Sequence, residues 1–368
     1  MTLIACTKCG KSYPKGANPY LCECGGVYDF IEFPEFIQAE INVNTTSVWR
    51  YKKLLGLSKS TDTVSLGEGG TPLIQINQGS GLLWLKLESE NPTGSYKDRG
   101  SSVLVSHLIN RGVKFTVEDS SGNAGASFAA YCARGNLKCK IFIPESASGP
   151  KRTQIEMFGA DLVKVPGPRS EAARAVLEEA NHGSVYGSHA FMPFGLTGIA
   201  TIAYELVEQL GKAPASVIAP VGHGGLLYGI MRGFEAMVKS GFINREPYYI
   251  GVQAEGCAPL AVAFQRGEES PADVTPFETL AEGVKVISPI RGKAILKRMS
   301  NDKGKMMVIP EEKIRDAYIE LARIGVYCEP TSALVWAAAK SVTQMRFIST
   351  VAIITGSGYK SNLNLNKE

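Results

Sequence analysis

Asn91-Pro92-Thr93-Gly94-Ser95-Tyr96-Lys97-Asp98-Arg99-Gly100 is the stretch from which the rest of the chain is best read. It follows the apolar run Leu82–Leu87 and precedes a helical pattern over Ser101–Arg111, so a Pro/Gly-rich loop delivers Lys97 where a helix begins. A helix N-terminus discourages the positive charge of an ammonium, and a lysine there is easier to find as a neutral amine able to attack a carbonyl. The alternative is a capped helix start carrying a solvated lysine.

The strand–turn–helix pattern continues outward from this loop. Val113–Glu118, Lys138–Ile143, Leu162–Val165, Ser216–Val221, Tyr249–Ala254 and Val351–Ile354 have the composition of strands. Helical patterns lie between them at Asn123–Arg134, Pro150–Phe158, Glu171–Asn181, Thr197–Leu210 and Leu226–Lys239, with later ones at Glu311–Ile324 and Ser332–Ser341. Strands alternating with helices of this length predict βα units, hence an α/β fold of mostly parallel sheet. The strands show little two-residue alternation, as expected when both faces of a sheet are covered. Ligands in such folds collect at the carboxyl ends of strands, beside glycine-rich turns.

Three further turns meet that description. Ser120-Ser121-Gly122-Asn123-Ala124-Gly125 follows the strand ending at Glu118, and its small residues expose N–H groups to a carboxylate or phosphate, although Asn123 could simply cap the next helix. Val221-Gly222-His223-Gly224-Gly225-Leu226 lets the backbone wrap an anion at a helix N-terminus. No Gly-Lys-Ser/Thr follows, so it is not a Walker loop. Thr355-Gly356-Ser357-Gly358 puts a hydroxyl at a strand end, where it could meet a ring nitrogen or merely shape a turn.

The 368 residues predict two lobes and a small appendage, and 44% apolar with 20% charged residues describes a globular chain with a large core. A net charge of +4 is too weak to argue for nucleic acid or an anionic membrane. No run approaches the roughly 18 apolar residues of a membrane span. The first residues lack the pattern of a signal peptide, which predicts a cytoplasmic protein. Of eight cysteines, Cys132, Cys139, Cys257 and Cys328 are scattered through apolar sequence and should be buried hydrophobes. Cys6, Cys9, Cys22 and Cys24 fall within nineteen residues, followed by Gly25-Gly26. In a reducing compartment two close thiol pairs favour a tetrahedral four-sulfur zinc site over disulfides, and such a closed site is structural. A ribbon that has lost its metal is the competing reading.

Together these strings resemble the threonine synthase family, within the tryptophan-synthase-β-like, fold type II pyridoxal-phosphate enzymes. Cys24-Gly25-Gly26 and Ser47-Val48-Trp49-Arg50-Tyr51 are similar to the amino-terminal region of archaeal-type and bacterial members. Leu66-Gly67-Glu68-Gly69-Gly70-Thr71-Pro72-Leu73, Asn91–Gly100, Ser121-Gly122-Asn123, Pro220–Gly225, Cys328-Glu329-Pro330-Thr331-Ser332-Ala333 and Thr355–Gly358 follow in the family's order. The resemblance implies a two-lobed fold with mostly parallel twisted sheets. Residues 1–32 would be a zinc-ribbon-like segment, 33–80 with 196–368 the large cofactor-binding domain, and 81–195 a smaller substrate-side domain.

It also implies roles. Lys97 would carry pyridoxal 5'-phosphate and shuttle protons at the substrate's α and β carbons. Gly222, His223, Gly224, Gly225 and Leu226 would hold the cofactor phosphate, Asn123 its phenolic oxygen, and Thr355 would face the ring nitrogen. Ser120, Ser121 and Gly122 would take the carboxylate of an amino-acid substrate. A homodimer is expected, with no nucleic-acid or membrane partner. The activity implied is that of a lyase in amino-acid biosynthesis, turning O-phosphohomoserine into threonine and phosphate.

One segment departs from the family. An Asn-Pro-x-Arg-x-x-Gly-x-x-Thr pattern normally supplies an arginine for the substrate phosphate. The corresponding stretch here is Met192-Pro193-Phe194-Gly195-Leu196-Thr197-Gly198-Ile199-Ala200-Thr201, with Gly195 at the arginine position. Losing that residue removes a bidentate, charge-assisted grip. Arg99, Arg152 or Arg169 could compensate from another loop. Otherwise the aromatic and small character of Ala190–Leu196 favours a less anionic substrate. That alternative would be a serine/threonine ammonia-lyase, a racemase or a cysteate-synthase-like β-replacement enzyme. His223 and His189 could take part in acid–base chemistry or serve as supporting residues. A zinc-ribbon binding protein on a dead scaffold is a third possibility, disfavoured by the intact Lys97 and both anion turns.

Overall fold

A computed structural model of the chain describes residues 4–58, 60–78, 81–147, 149–343 and 349–361. The apolar strands assemble into two sheets, and a separate pair of short strands lies at the N-terminus. In chain order the strands are β1 (Ile4–Cys6), β2 (Tyr28–Phe30), β3 (Leu73–Gln78), β4 (Gly81–Leu87), β5 (Phe115–Glu118), β6 (Lys138–Pro144), β7 (Asp161–Val165) and β8 (Val185–Tyr186). They continue as β9 (Ser216–Pro220), β10 (Tyr248–Ala254), β11 (Gly304–Ile309) and β12 (Ser349–Ile354). The helices are α1 (Lys97–Asn110), α2 (Asn123–Arg134), α3 (Pro150–Met157), α4 (Arg169–Asn181), α5 (Gly195–Leu210), α6 (Gly225–Lys239), α7 (Pro259–Gln265), α8 (Gly292–Met299), α9 (Glu311–Arg323) and α10 (Pro330–Thr343).

The six-stranded sheet has the order β11-β10-β9-β12-β4-β3 and is parallel except for the β3–β4 hairpin. Its two faces are sorted by the pleat. Val217, Ala219, Val351 and Ile353 pack with α5 and α6 on one side. Ile218, Ile250, Ala352 and Ile354 pack with α9 and α10 on the other. Both faces are therefore covered, which is why these strands read as apolar runs rather than alternations. The second sheet, β7-β6-β5-β8, is wholly parallel.

Strand β4 needs a correction to the sequence reading. It falls within 81–195, the range expected for the smaller domain, yet it pairs with both β3 and β12 inside the six-stranded sheet. The reason is physical: β4 is an apolar strand whose Leu83 and Leu85 are fully buried, and its hydrogen-bonding edges are satisfied only between those neighbours. The consequence matters for the site. Because β4, β9 and β12 run parallel, the turns that leave them open on one edge. Those turns carry Lys97, the Gly222–Leu226 run and Thr355.

The four scattered cysteines are buried, as their apolar surroundings require. No helix among the described residues is long and apolar enough to cross a membrane.

Candidate active site

The lysine loop is held both by the neighbouring turn and by bonds within its own sequence. Tyr96 N–H donates to the carbonyl of Thr355 (3.0 Å) and Ser357 N–H to that of Gly94 (2.9 Å), so the turns after β4 and β12 are stitched together. The Asp98 carboxylate accepts from Thr93 N–H (2.7 Å) and Thr93 Oγ1 (2.6 Å), and burial pushes that carboxyl up to about 6. These contacts start α1 at Lys97, one turn earlier than the periodicity indicates, and place Lys97 in the first helical position.

Beside it lies a carboxylate to which the sequence alone assigns no role. Glu329 accepts from Asn123 Nδ2 (2.8 Å), Thr355 Oγ1 (3.0 Å) and Lys151 Nζ (3.2 Å). Burial opposes its charge, but the Lys151 ammonium and the Asn123 amide hold its carboxyl below the ordinary range. Ser332 Oγ, 3.0 Å from Thr355 Oγ1, also accepts from Thr355 N–H (2.9 Å). Asn123 and Thr355 are thus fixed through one anion.

The turn after β5 is equally constrained. A Cβ on Gly125 would lie 1.8 Å from the Ser120 carbonyl oxygen, so only glycine lets the turn fold back onto α2. Glu118 ends β5 and accepts from Ser120 N–H through Oε2, while its Oε1 lies 3.0 Å from His189 Nδ1. Burial raises the Glu118 carboxyl above its usual range. The His189 ring meets that of His223 edge-on at 6.0 Å. Burial, with the charge of Lys97 nearby, pushes both imidazoles well below their usual value, so both are neutral near pH 7.

The glycine turn after β9 is shaped for an anion. Gly224 sits at φ +92°, which only glycine adopts without strain, and caps α6. None of the N–H groups of Gly222, His223, Gly224 and Gly225 finds a backbone acceptor among the described residues. A Cβ on Gly225 would meet no atom within 4 Å, so the turn has room beside the positive end of α6. Asn123 Oδ1, Ser95 Oγ and His223 Nδ1 are buried and lack hydrogen-bond partners. Buried polar atoms left open in this way are expected where another molecule completes the bonding. The contacts form a chain: Tyr96 to Thr355, Thr355 to Glu329 and Glu329 to Asn123, then along the Ser120 turn to Glu118, which meets His189, whose ring lies against His223.

Gly195 begins α5 against α1. A Cβ there would lie 3.1 Å from the Gly100 carbonyl oxygen and 3.4 Å from its Cα, so the two helices are in close contact at the residue where the sequence pattern leads one to expect an arginine. Two of the three candidate replacements are engaged elsewhere. Arg99 is fully buried in ion pairs with Glu88 (2.7 Å) and Glu205 (2.6 Å). Arg152 donates to Glu156 (3.0 Å) and to the carbonyl of Ala147. Arg169 starts α4 at the carboxyl edge of the smaller sheet, exposed, with no hydrogen bond or ion pair among the described residues. Its charge acts on Glu118, Asp119, His189 and His223.

Cys6 at the end of β1 and Cys9, Cys22 and Cys24 in the turns before β2 have their sulfur atoms within 4.8 Å of one another. Cys6 and Cys24 Sγ are 3.4 Å apart, and Cys9 and Cys22 Sγ 3.7 Å. A tetrahedral ion with metal–sulfur bonds of about 2.3 Å needs sulfurs ~3.8 Å apart, so the cluster could hold a metal ion with little adjustment. A Cβ on Gly26 would come within 2.4 Å of Cys6 Sγ, which explains a glycine two residues after the last of the four cysteines.

Two mostly parallel sheets, with Lys97, Asn123, the glycine turn and Thr355 on the turns at their carboxyl edges, have the architecture of a fold type II pyridoxal-phosphate enzyme. The family model for "Pyridoxal-phosphate dependent enzyme" matches residues 64–356. The chain is 35% identical to threonine synthase of Methanocaldococcus jannaschii, covering 97% of this chain and 93% of that protein. It is 30% identical to threonine synthase of Methanosarcina acetivorans, over 96% and 91%. Among solved structures, maize serine racemase superposes with a TM-score of 0.68 at 22% identity, over 80% of this chain and 89% of that one. The processed form of threonine deaminase isoform 2 from Solanum lycopersicum gives 0.67 at 23%, over 80% and 84%. The chain belongs to the pyridoxal-phosphate-dependent enzymes and, within them, to the threonine synthase family.

Proposed function

We propose that this chain is a lyase that uses pyridoxal 5'-phosphate for elimination and replacement on an amino acid, in the manner of its threonine synthase relatives. The observation that carries the reading is the chain of contacts that joins the Lys97 turn to the turns after β12 and β5. Four turns from two sheets bring an amine, an anion cradle and open buried acceptors to one place. When bound, the cofactor supplies an electron sink that loosens bonds at the substrate's α carbon. Gly222, His223, Gly224, Gly225 and Leu226 would hold its phosphate through N–H groups and the α6 dipole. Asn123 would meet its phenolic oxygen. Thr355, a neutral hydroxyl, would face the ring nitrogen and leave the sink moderate, which suits elimination and replacement.

Ser120, Ser121 and Gly122 would orient the substrate carboxylate through hydroxyl and N–H donors. Lys97 would carry the cofactor and, once released, move protons at the α and β carbons. His189, neutral and fixed by Glu118, stands where it could exchange a proton with a departing group. With O-phosphohomoserine as substrate the products are threonine and phosphate, and Arg169 is the cation left to grip the phosphoryl group. The four cysteines would hold structural zinc.

Gly195 favours a second reading. With no arginine at that position and aromatic residues around it, a non-phosphorylated substrate would fit, as in a serine/threonine ammonia-lyase, a racemase or a cysteate-synthase-like enzyme. Turnover separates the two. Phosphate released together with threonine from O-phosphohomoserine supports the first. Ammonia and a keto acid from serine or threonine, epimerised amino acid or a β-replacement product, without phosphate release, supports the second. A purified chain that takes up no cofactor overturns both.

A further inference from the structure

Arg291, which caps α8, touches three parts of the molecule that are far apart in sequence. Its backbone N–H donates to the carbonyl of His223, inside the anion turn, at 2.9 Å. One end of its guanidinium, Nη2, donates to the carbonyl of Phe191 at 2.9 Å, at the start of the segment that carries Gly195. The other, Nη1, donates to the carbonyl of Tyr28 at 3.0 Å and lies 3.4 Å from Asp29 Oδ2. The side chain is 3% exposed, so these partners are what offset the cost of burying its charge.

Tyr28 and Asp29 belong to β2, which among the described residues pairs only with β1, and in that pairing Tyr28 lies opposite Cys6. A metal ligand is therefore one cross-strand step from the carbonyl that Arg291 holds. A second buried arginine repeats the grip two residues along. Arg232 on α6 donates to the carbonyl of Phe30 at 3.0 Å and to the Tyr228 hydroxyl at 2.9 Å. Two three-residue strands do not hold together in water unaided, so the position of β2 depends on whatever closes the four sulfurs.

We propose that the metal-held ribbon positions the cofactor-phosphate turn and the Phe191–Gly195 segment together, with Arg291 as the positioning residue that carries the coupling. With the ion bound, β2 presents the fixed Tyr28 carbonyl and Asp29 to the buried Arg291 guanidinium, and the Arg291 backbone holds His223 in the cradle. With the ion removed, β2 loses its partner strand. The guanidinium then loses acceptors in a buried place, and the two segments it ties lose a common anchor. The inference rests on the cofactor placement given under Proposed function.

The test uses the full-length holoenzyme. The ribbon is released in two ways, by stripping metal with a mercurial and chelator under reducing conditions and by Cys24→Ser. Arg291→Ala removes the tie with the metal in place, and Asp29→Asn weakens it while keeping the side-chain volume. Two quantities are read: the pyridoxal-phosphate dissociation constant, and the phosphorus-31 resonance of the bound cofactor. Metal loss and Arg291→Ala should each raise the dissociation constant about tenfold, as outer supports of a site commonly do. Each should also shift the resonance. Asp29→Asn should move both in the same direction by less. Stripping metal from Arg291→Ala should add less than about threefold, because the tie is already cut.

Three results would overturn the coupling. The first is metal-free or Cys24→Ser protein that binds cofactor within twofold of wild type, with an unmoved resonance. The second is that the effects of stripping and of Arg291→Ala simply multiply, and the third is a wild-type chain that binds no metal. If Arg291→Ala does not fold, Asp29→Asn with and without metal decides the question in the same way. A metal-replete wild type that takes up no cofactor removes instead the placement on which the inference stands, and the two failures are told apart by that uptake.

Discussion

Two clusters of buried polar groups lie within two turns of each other on α1, and they are built oppositely. Around Arg99 everything is satisfied. Its guanidinium donates to both oxygens of Glu88 and of Glu205, to Thr201 Oγ1 and to Thr71 Oγ1. Lys86 adds three bonds, to Glu205, Gln209 and the Thr71 carbonyl. Burial opposes the charge on Glu205, but Arg99 and Lys86 bring its carboxyl down to about 2. Around Lys97, by contrast, Asn123 Oδ1, Ser95 Oγ and His223 Nδ1 are buried without partners. A fully satisfied network fixes the scaffold, whereas several open buried atoms gathered at one place leave bonding for a ligand to complete. Proximity in sequence says nothing about which kind a residue joins: Lys97 and Arg99 are two positions apart.

The sharpest way to break the comparison is to substitute one residue in each cluster. Lys97→Ala should lower kcat by about 10³-fold or more, since attachment and proton transfer are both lost, while the thermal midpoint of the cofactor-free protein hardly moves. Arg99→Met should do the reverse. It leaves Glu88 and Glu205 buried without their cation and should cost about 3–5 kcal/mol of stability in denaturant titration. If Arg99→Met unfolded like wild type yet lost substrate binding, Arg99 would belong with the site.

Next in size is a pH effect at the edge of the specificity segment. His107 stacks on Phe194 at 3.5 Å, its Nε2 is buried without a partner, and burial lowers it to about 3. Between about pH 6.5 and 3 the unfolded chain binds a proton there and the folded chain does not. Stability must therefore fall with acid by up to ~1.4 kcal/mol per pH unit in that window. His107→Phe should flatten that part of the profile; an unchanged slope would put the loss on carboxylates such as Glu205. Smallest is Arg169→Ala, which should raise KM about tenfold for a phosphorylated substrate and leave kcat and plain amino acids unaffected. Equal effects on both substrate types would exclude Arg169 as the phosphate grip.

Much of this fold is legible in the sequence because buried parallel strands and the helices after them announce themselves. The periodicity bounds Asn123–Arg134 correctly, and Gly225–Lys239 and Lys138–Pro144 to within a residue. What escapes it are elements too short or too mixed to show a period, namely β1 and β2, the two-residue β8, the edge strand β11 with its lysine, and α7 and α8. The sheet to which β4 belongs is hidden for another reason: pairing is not a local property. The site is legible in its turns and illegible in its carboxylates. Glu118 and Glu329 carry no local mark of burial, and Glu329 meets Asn123 from 206 residues away. Arg291 is equally silent, since its partners are carbonyls, which every residue has.

Borohydride reduction of the cofactor-loaded protein, followed by peptide mapping, tests the central reading most directly. The structure holds other buried lysines, among them Lys360, which burial lowers to about 8 and which donates to the Thr93 carbonyl at 2.6 Å. A single reduced adduct on the peptide containing Lys97, absent in Lys97→Ala, is the expected result. An adduct on Lys360 or Lys86, or none, would contradict it.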